Sequence, residues 1–187
     1  MNPLHRQDPG FTLVELLIVV AIIGIIAAIA IPNLLSAIQR GKQKRTMGDI
    51  KTIATIIEIY NTDNSTYPLA TYGTATVASL YSATNVDSNY LANPILNDGW
   101  TSGTVARPFY YSSLALASPQ NDYIFCSLGK DGVVDGAGNY VCADSAIANL
   151  LAAASVKNGT SFNCDISMVD GQFLRVPLGK QTTATTC

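Results

Sequence analysis

Histidine is almost missing from this sequence. His5 is the only one, and it lies ahead of the first hydrophobic run. No Cys-x-x-C pair occurs among the four cysteines either. A zinc site of the usual Cys/His kind is therefore not expected. Nor does a Ser/His, Cys/His or carboxylate constellation for catalysis appear. The Asp131/Asp135 pair reads as a turn or a calcium loop rather than as acid–base machinery. Charge is scarce as well, with 13% charged residues and a net charge of −2. No basic surplus directs the chain to nucleic acid, and no acidic block marks a disordered tail. No internal repeat is present. These absences argue against an enzyme and leave a structural or binding role.

What is present is one long apolar segment and a polar remainder. Setting the apolar segment and a short leader aside leaves about 150 residues, enough for one small domain with a real core. That remainder is rich in Thr, Ser, Asn, Gly and Tyr, a composition suited to strands and turns. The cysteines are Cys126, Cys142, Cys164 and Cys187. An even count behind an export segment favours two disulfides formed in an oxidising compartment. Three connectivities are open. Cys126–Cys142 with Cys164–Cys187 is preferred because each pair is adjacent in sequence. Either bridge would close a loop of roughly 16–24 residues and contribute about 3 kcal/mol in the chain-entropy model. Four reduced, buried thiols are the alternative.

Residues 1–10 are polar and carry Arg6 and Asp8. The run that follows, Phe11–Ile31, has roughly twenty residues and one charge, which as a helix spans about 30 Å of hydrocarbon. It is too long for the apolar core of a secretory signal. Ala28-Ile29-Ala30 has the small-x-small pattern of a cleavage site, which would free the domain. Glu15 inside the apolar core and a leader with little positive charge weigh against that use.

Glu15 costs energy in a membrane, about 2.5–3.5 kcal/mol at mid-bilayer and less near an end. Thr12 and Glu15 have the T-x-x-E spacing of a capping box, and an acid in the first turn suits the helix dipole. A second role arises if the chain is cut after Gly10. Phe11 then carries a new amine, and Glu15 can neutralise the amine of its own chain or of a neighbouring copy.

Gly10 to Gly24, G-F-T-L-V-E-L-L-I-V-V-A-I-I-G, resembles the signal of type IV prepilins and type II secretion pseudopilins. The resemblance implies cleavage after Gly10 by a membrane prepilin peptidase, then N-methylation of Phe11. It implies pairing of Glu15 with the N-terminus of an adjacent subunit. Gly24 and Pro32 fall where this family has its helix-breaking residues. Pro32 lacks a donor and crowds the preceding turn, so a kink or local melting is expected there. Both are also simply tolerated in membrane helices.

Arg40, Lys42, Lys44 and Arg45 follow the span, while only Arg6 precedes it. Counted alone, this charge balance would put the C-terminal domain in the cytoplasm. The disulfides and the family resemblance put it outside, and that placement is preferred. The basic cluster then faces acidic neighbours, anionic headgroups or solvent.

Past Pro32 the helical pattern resumes. Ile50, Ile53, Ala54, Ile57 and Tyr60 recur every three or four residues, with Asp49, Lys51, Thr55 and Glu58 between them. The spacing predicts an amphipathic helix over 34–62, ended by Asn61-Thr62-Asp63-Asn64 and by Tyr67-Pro68. The expected organisation is a leader at 1–10, an assembly helix at 11–33, its amphipathic continuation at 34–62 and a head at 63–187. Thr71–Asn97 reads as a connector, anchored by Tyr81, Tyr90 and Leu91, with a short helix at Val77–Ala83. Pro108–Ser112 and Asp122–Ser127 read as an antiparallel hairpin covering the helix. Ala143–Lys157 has a helical composition, capped by Asp144 or Ser145 and stopped at Asn158-Gly159. Phe173–Val176 reads as a further strand. The fold class is α+β: a long N-terminal helix packed on a small antiparallel sheet, as in pilins.

The head resembles the major-pseudopilin branch of type II secretion. The resemblance rests on Asp63-Asn64, Tyr67-Pro68, Asp98-Gly99-Trp100, Pro108-Phe109, and Tyr123-Ile124 followed by Ser127, Gly129 and Asp131-Gly132. In that branch the last loop binds calcium. By position, the implied ligands are the Leu128 and Val133 carbonyls and the Asp131 carboxylate, with Asp135 or Asp144 completing the shell. Calcium takes six to eight oxygens, and an Asp-Gly turn without metal is the alternative. The chain departs from the branch by continuing about fifty residues further and by its cysteines, as in type IV pilins.

The function implied is a structural subunit that assembles through its N-terminal helix into a pilus or a secretion pseudopilus. Its expected partners are further copies of itself, the prepilin peptidase, an assembly ATPase and an inner-membrane platform. It would sit in the inner membrane as a single-pass protein with its head outside the cytoplasm, then in a periplasmic or surface filament. A DNA-uptake or adhesive pilin is the alternative. That reading needs a basic or aromatic patch on the head, and the head's basic residues are few: Arg107, Lys130, Lys157, Arg175 and Lys180.

Overall fold

Leu, Ile, Val and Ala dominate the stretch after Thr12, with no proline before Pro32, and such residues propagate a helix once a cap has started it. In the computed structural model this stretch opens α1, Leu13–Asn64, which is one unbroken helix. The structure describes residues 10–68, 76, 77, 80, 90, 97–101, 107–114, 122–133 and 161–179. The helix passes through Pro32 without interruption, so the local melting expected there does not occur. Proline removes a single backbone bond to the preceding turn. The rest of the ladder on either side carries the helix across. The cap at the other end is Ser65, whose φ of 58° places it in the left-handed region and whose N–H donates to the Asn61 carbonyl at 2.7 Å. A left-handed residue just past the helix is a common way to satisfy its last carbonyls.

Two compact units divide the chain, residues 1–37 and 38–187. Within the second, α1 buries a stripe made of Gln43, Thr46, Ile50, Ile53, Ala54, Ile56 and Ile57. The apolar part of that stripe is the one the spacing predicts. Tyr60 continues it half-buried and packs on the Tyr90 ring at 5.7 Å. Tyr81 and Leu91 lie outside the described residues, as does most of the helix expected at Val77–Ala83. Of that helix, Val77 and Leu80 are buried, and the Leu80 N–H donates to the Thr76 carbonyl.

The strands are β1 Tyr110–Leu114, β2 Asp122–Ser127, β3 Ile166–Val169 and β4 Gln172–Arg175, in sheet order β1-β2-β3-β4. All three pairings are antiparallel. The first hairpin follows the expected alternation, although β1 starts at Tyr110 rather than Pro108. Proline has no donor for the ladder, and Pro108 makes only an isolated bridge to Asn97. Between β3 and β4 the chain reverses through Asp170 and Gly171, both at positive φ. That pair of left-handed residues is what a two-residue hairpin requires.

Tyr111, Tyr123, Phe125, Ile166 and Met168 face α1 and form the core with its isoleucines. Aromatic rings dominate, with Tyr67–Tyr123 and Tyr111–Phe125 each at 4.9 Å and tilted, an arrangement that suits their quadrupoles. All four residues of β3 are buried. The helix expected at Ala143–Lys157 lies outside the described residues.

Candidate assembly helix and the polar turn of the head

In the N-terminal unit, Thr12 and Glu15 form the capping box that their spacing predicts. The Thr12 N–H and hydroxyl donate to Glu15 Oε2 at 2.9 and 2.7 Å, and the Glu15 N–H donates to Thr12 Oγ1 at 3.3 Å. Both donors use one carboxylate oxygen, which leaves Oε1 for a donor outside the chain. Gly10 and Phe11 are exposed next to it. From Phe11 to Ile38 large apolar side chains point to the outside on every face: Leu13 is 78% exposed, Ile25 66% and Ile31 63%. A side chain added at Gly24 would meet nothing within 4 Å, so the glycine answers no packing need inside this chain. Helix α1 is long and apolar enough to cross a membrane.

After this segment, Arg40, Lys44 and Arg45 are exposed and Lys42 is half-buried. Arg45 pairs with Asp49 at 3.6 Å, but it is 72% exposed, so the pair contributes little.

In the head, the polar residues converge on the turn at 128–133. Asp98 lies buried against the end of β2. Its Oδ2 accepts the Ser127 hydroxyl at 2.6 Å, and its Oδ1 accepts the Trp100 N–H at 2.7 Å. Burial pushes the Asp98 carboxyl up, and the bonds from Ser127 and Trp100 and the charge of Arg107 oppose that rise. Ser127 Oγ in turn accepts the Gly129 N–H at 3.2 Å. Arg107 Nη1 donates to the Gly129 carbonyl at 2.9 Å. On the helix side, the Gly99 N–H donates to Thr46 Oγ1 at 3.1 Å, and Gln43 Nε2 donates to the Pro177 carbonyl at 2.6 Å. These bonds explain why two polar residues sit on the buried stripe of α1.

Of the five expected calcium ligands, Leu128, Asp131 and Val133 are described; Asp135 and Asp144 lie outside the described residues. The Leu128 carbonyl accepts the Gly132 N–H at 3.2 Å, and Asp131 Oδ1 accepts the Val133 N–H at 3.0 Å. Among the described residues, no group of three His, Cys, Asp or Glu side chains stands close enough to hold a metal. Cys126 and Cys164 are buried and disulfide-bonded, while Cys142 and Cys187 lie outside the described residues. Asp98, Ser127 and Arg107 are the residues that sequence reasoning did not single out for a role in this turn.

Comparison with known proteins covers both units. A family model described as a prokaryotic N-terminal methylation motif matches residues 6–31. A second, described as type II secretion system protein G, matches residues 33–145. The type II secretion system core protein G of Pseudomonas aeruginosa is 32% identical over 139 residues, which is 72% of this chain and 92% of the relative. That of Klebsiella pneumoniae is 30% identical across 68% of this chain and 89% of the relative. That of Escherichia coli is 25% identical across 69% and 79%. No solved structure gives a significant match. β3 and β4, and with them Ile166 and Met168 of the core, lie beyond the stretch that the protein G model matches. On the strength of both family models and these relatives, the chain belongs to the type II secretion system protein G family.

Proposed function

We propose that the chain is a structural subunit of a type II secretion pseudopilus, built through α1. The observation that carries this reading is an unbroken helix whose first part is apolar on every face and exposed. A helix apolar all round belongs in a membrane or among other helices. This one would occupy the two in turn, as a single-pass anchor in the inner membrane and then as the core of a periplasmic filament. The prepilin peptidase would cut after Gly10, and Phe11 would become the methylated N-terminus. Copies of the chain are the main partner, with an assembly ATPase and an inner-membrane platform drawing them from the bilayer.

Glu15 supplies the register. Its Oε2 is taken by Thr12, and Oε1 is free for the Phe11 amine of an adjacent copy. Pairing neutralises two charges in an apolar setting, where leaving either alone is costly. Gly24 gives neighbouring helices a flat place of close approach. In the head, the pairing Cys126–Cys142 with Cys164–Cys187 fits an oxidising compartment outside the cytoplasm.

The test is Glu15→Ala in cells that assemble the filament. The variant should be processed and held in the membrane like the parent, while filaments are lost. Normal filaments from this variant would remove the charge pairing from the argument.

A further inference from the structure

The turn at 128–133 is gripped from two sides by the chain itself. On one side stands Arg107. Its Nη1 donates to the Gly129 carbonyl at 2.9 Å. A Cβ built on Gly132 would lie 2.7 Å from the same Nη1 and 2.9 Å from Cζ. The guanidinium therefore lies against both glycines of the turn. Its own backbone is fixed: the Asp98 N–H donates to the Arg107 carbonyl at 2.9 Å, and the Arg107 N–H donates to Thr101 Oγ1 at 3.2 Å.

On the other side stands the segment Ser161–Cys164, from the part of the chain beyond the protein G match. The Lys130 N–H donates to the Phe162 carbonyl at 3.0 Å. The backbones are so close that a Cβ on Gly129 would stand 2.6 Å from the Cys164 carbonyl oxygen. Cys164 is in turn disulfide-bonded.

These contacts engage three oxygens of the turn, two of them on the expected ligands Leu128 and Asp131. The Gly129 carbonyl faces a guanidinium, the Leu128 carbonyl faces the Gly132 N–H, and Asp131 Oδ1 faces the Val133 N–H. Asp131 is the only carboxylate within the turn, and calcium takes six to eight oxygens. A guanidinium is a cation, and a like charge beside a bound cation is repulsive. The described residues do not fit a calcium ion.

We propose that Arg107, together with the Ser161–Cys164 segment, does in this chain what a bound cation would do. It holds the turn at 128–133 in shape, so that the head keeps its fold without a divalent metal. Arg107 supplies the positive charge and the donor; the Phe162 carbonyl supplies the opposite clamp. The extra chain after the family-matched region and the guanidinium under the turn belong to one device.

The test uses processed full-length protein in detergent, followed by thermal unfolding. For the parent, the midpoints in EDTA, in added calcium and in buffer alone should coincide. Arg107→Gln should lower the midpoint by roughly 4–10 °C, since it loses a charge-assisted bond and leaves a carbonyl unpaired. Arg107→Lys should recover part of that loss, as charge without the planar fork. A parent midpoint that falls on chelation and returns with calcium would overturn the proposal. So would an Arg107→Gln variant that melts with the parent. If that variant does not fold, the chelation result on the parent decides. The measurement does not depend on filament assembly.

Discussion

Asp98 and Ser127 are joined by a 2.6 Å hydrogen bond in which both side chains are buried. That bond ties the loop beside α1 to the end of β2. It continues through Ser127 Oγ to the Gly129 N–H, so the loop, the strand and the turn share one polar chain. Removing the carboxylate strands two donors, the Ser127 hydroxyl and the Trp100 N–H, and takes away the negative charge near Arg107. Asp98→Ala should therefore destabilise the head by about 2–4 kcal/mol. Asp98→Asn should cost less, because Oδ1 can still accept from Trp100. Denaturant unfolding of the two variants beside the parent checks both the size and the order.

Much of this structure is legible in the residue pattern, for physical reasons. A 3.6-residue period of isoleucines marks the buried face of α1, and the T-x-x-E spacing marks its start. The part that escapes notice follows other rules. Gln43 and Thr46 extend the buried stripe although they are polar, because each has a specific partner far along the chain. Arg107 looks like one more sparse surface charge until the turn at 128–133 closes over it. The strand expected at Phe173–Val176 is present as β4, one residue earlier, whereas β3 escapes because it is only four residues long, although Asp170-Gly171 between apolar runs is a usable hairpin signal. At Pro32 only the melting alternative fails, because α1 runs through it unbroken. A helix this long and apolar absorbs one missing bond.

Gly129 is a position where only glycine fits. Its φ is +61°, and an added Cβ would stand 2.6 Å from the Cys164 carbonyl oxygen and 2.7 Å from that of Asn163. Neither neighbour is a flexible side chain that can turn away. Gly129→Ala combines left-handed strain with a backbone clash and should cost about 2–4 kcal/mol. Gly48, on the exposed face of α1 with nothing within 4 Å, is the control. Gly48→Ala should leave the head as stable or slightly more so, by up to about 1 kcal/mol. Midpoints of thermal unfolding would separate the two.

Alkaline pH should weaken the head through its tyrosines. Tyr67 is buried, and its hydroxyl donates to Glu58 Oε2 at 3.1 Å. Burial first, then the Glu58 bond and charge, push its ionisation from 10.0 up to about 12. Burial raises Tyr111 and Tyr123 as well. A folded value above the unfolded one means that the stabilising contribution is complete below pH 10 and is lost as pH rises toward 12. The unfolding midpoint should be flat up to about pH 10 and fall above it, with tyrosinate absorbance rising in step with unfolding. Tyr67→Phe should make that fall shallower. A parent midpoint unchanged across the window would show that these phenols ionise as readily folded as unfolded.

The stretch beyond the family match is a structural part of the head and not an appendage. Phe162, Ile166, Met168 and Val169 are at most 4% exposed, and all lie past residue 145, where the protein G match ends. Burying a large apolar side chain contributes about 1.5–3 kcal/mol. Four of them amount to about 6–12 kcal/mol, as much as the whole stability of an ordinary domain. Loss of β3 also strips β2 of its second partner strand and opens Phe125 and Tyr123 to water. A chain ending at residue 145 should therefore insert in the membrane but carry a head with no cooperative unfolding transition, and it should be cut rapidly by protease. The milder Met168→Ala should keep the fold and lose about 2–5 kcal/mol. A truncated chain that melts cooperatively near the parent midpoint would mean that helix α1 and the β1–β2 hairpin suffice on their own, and that the added hairpin serves a surface rather than the core.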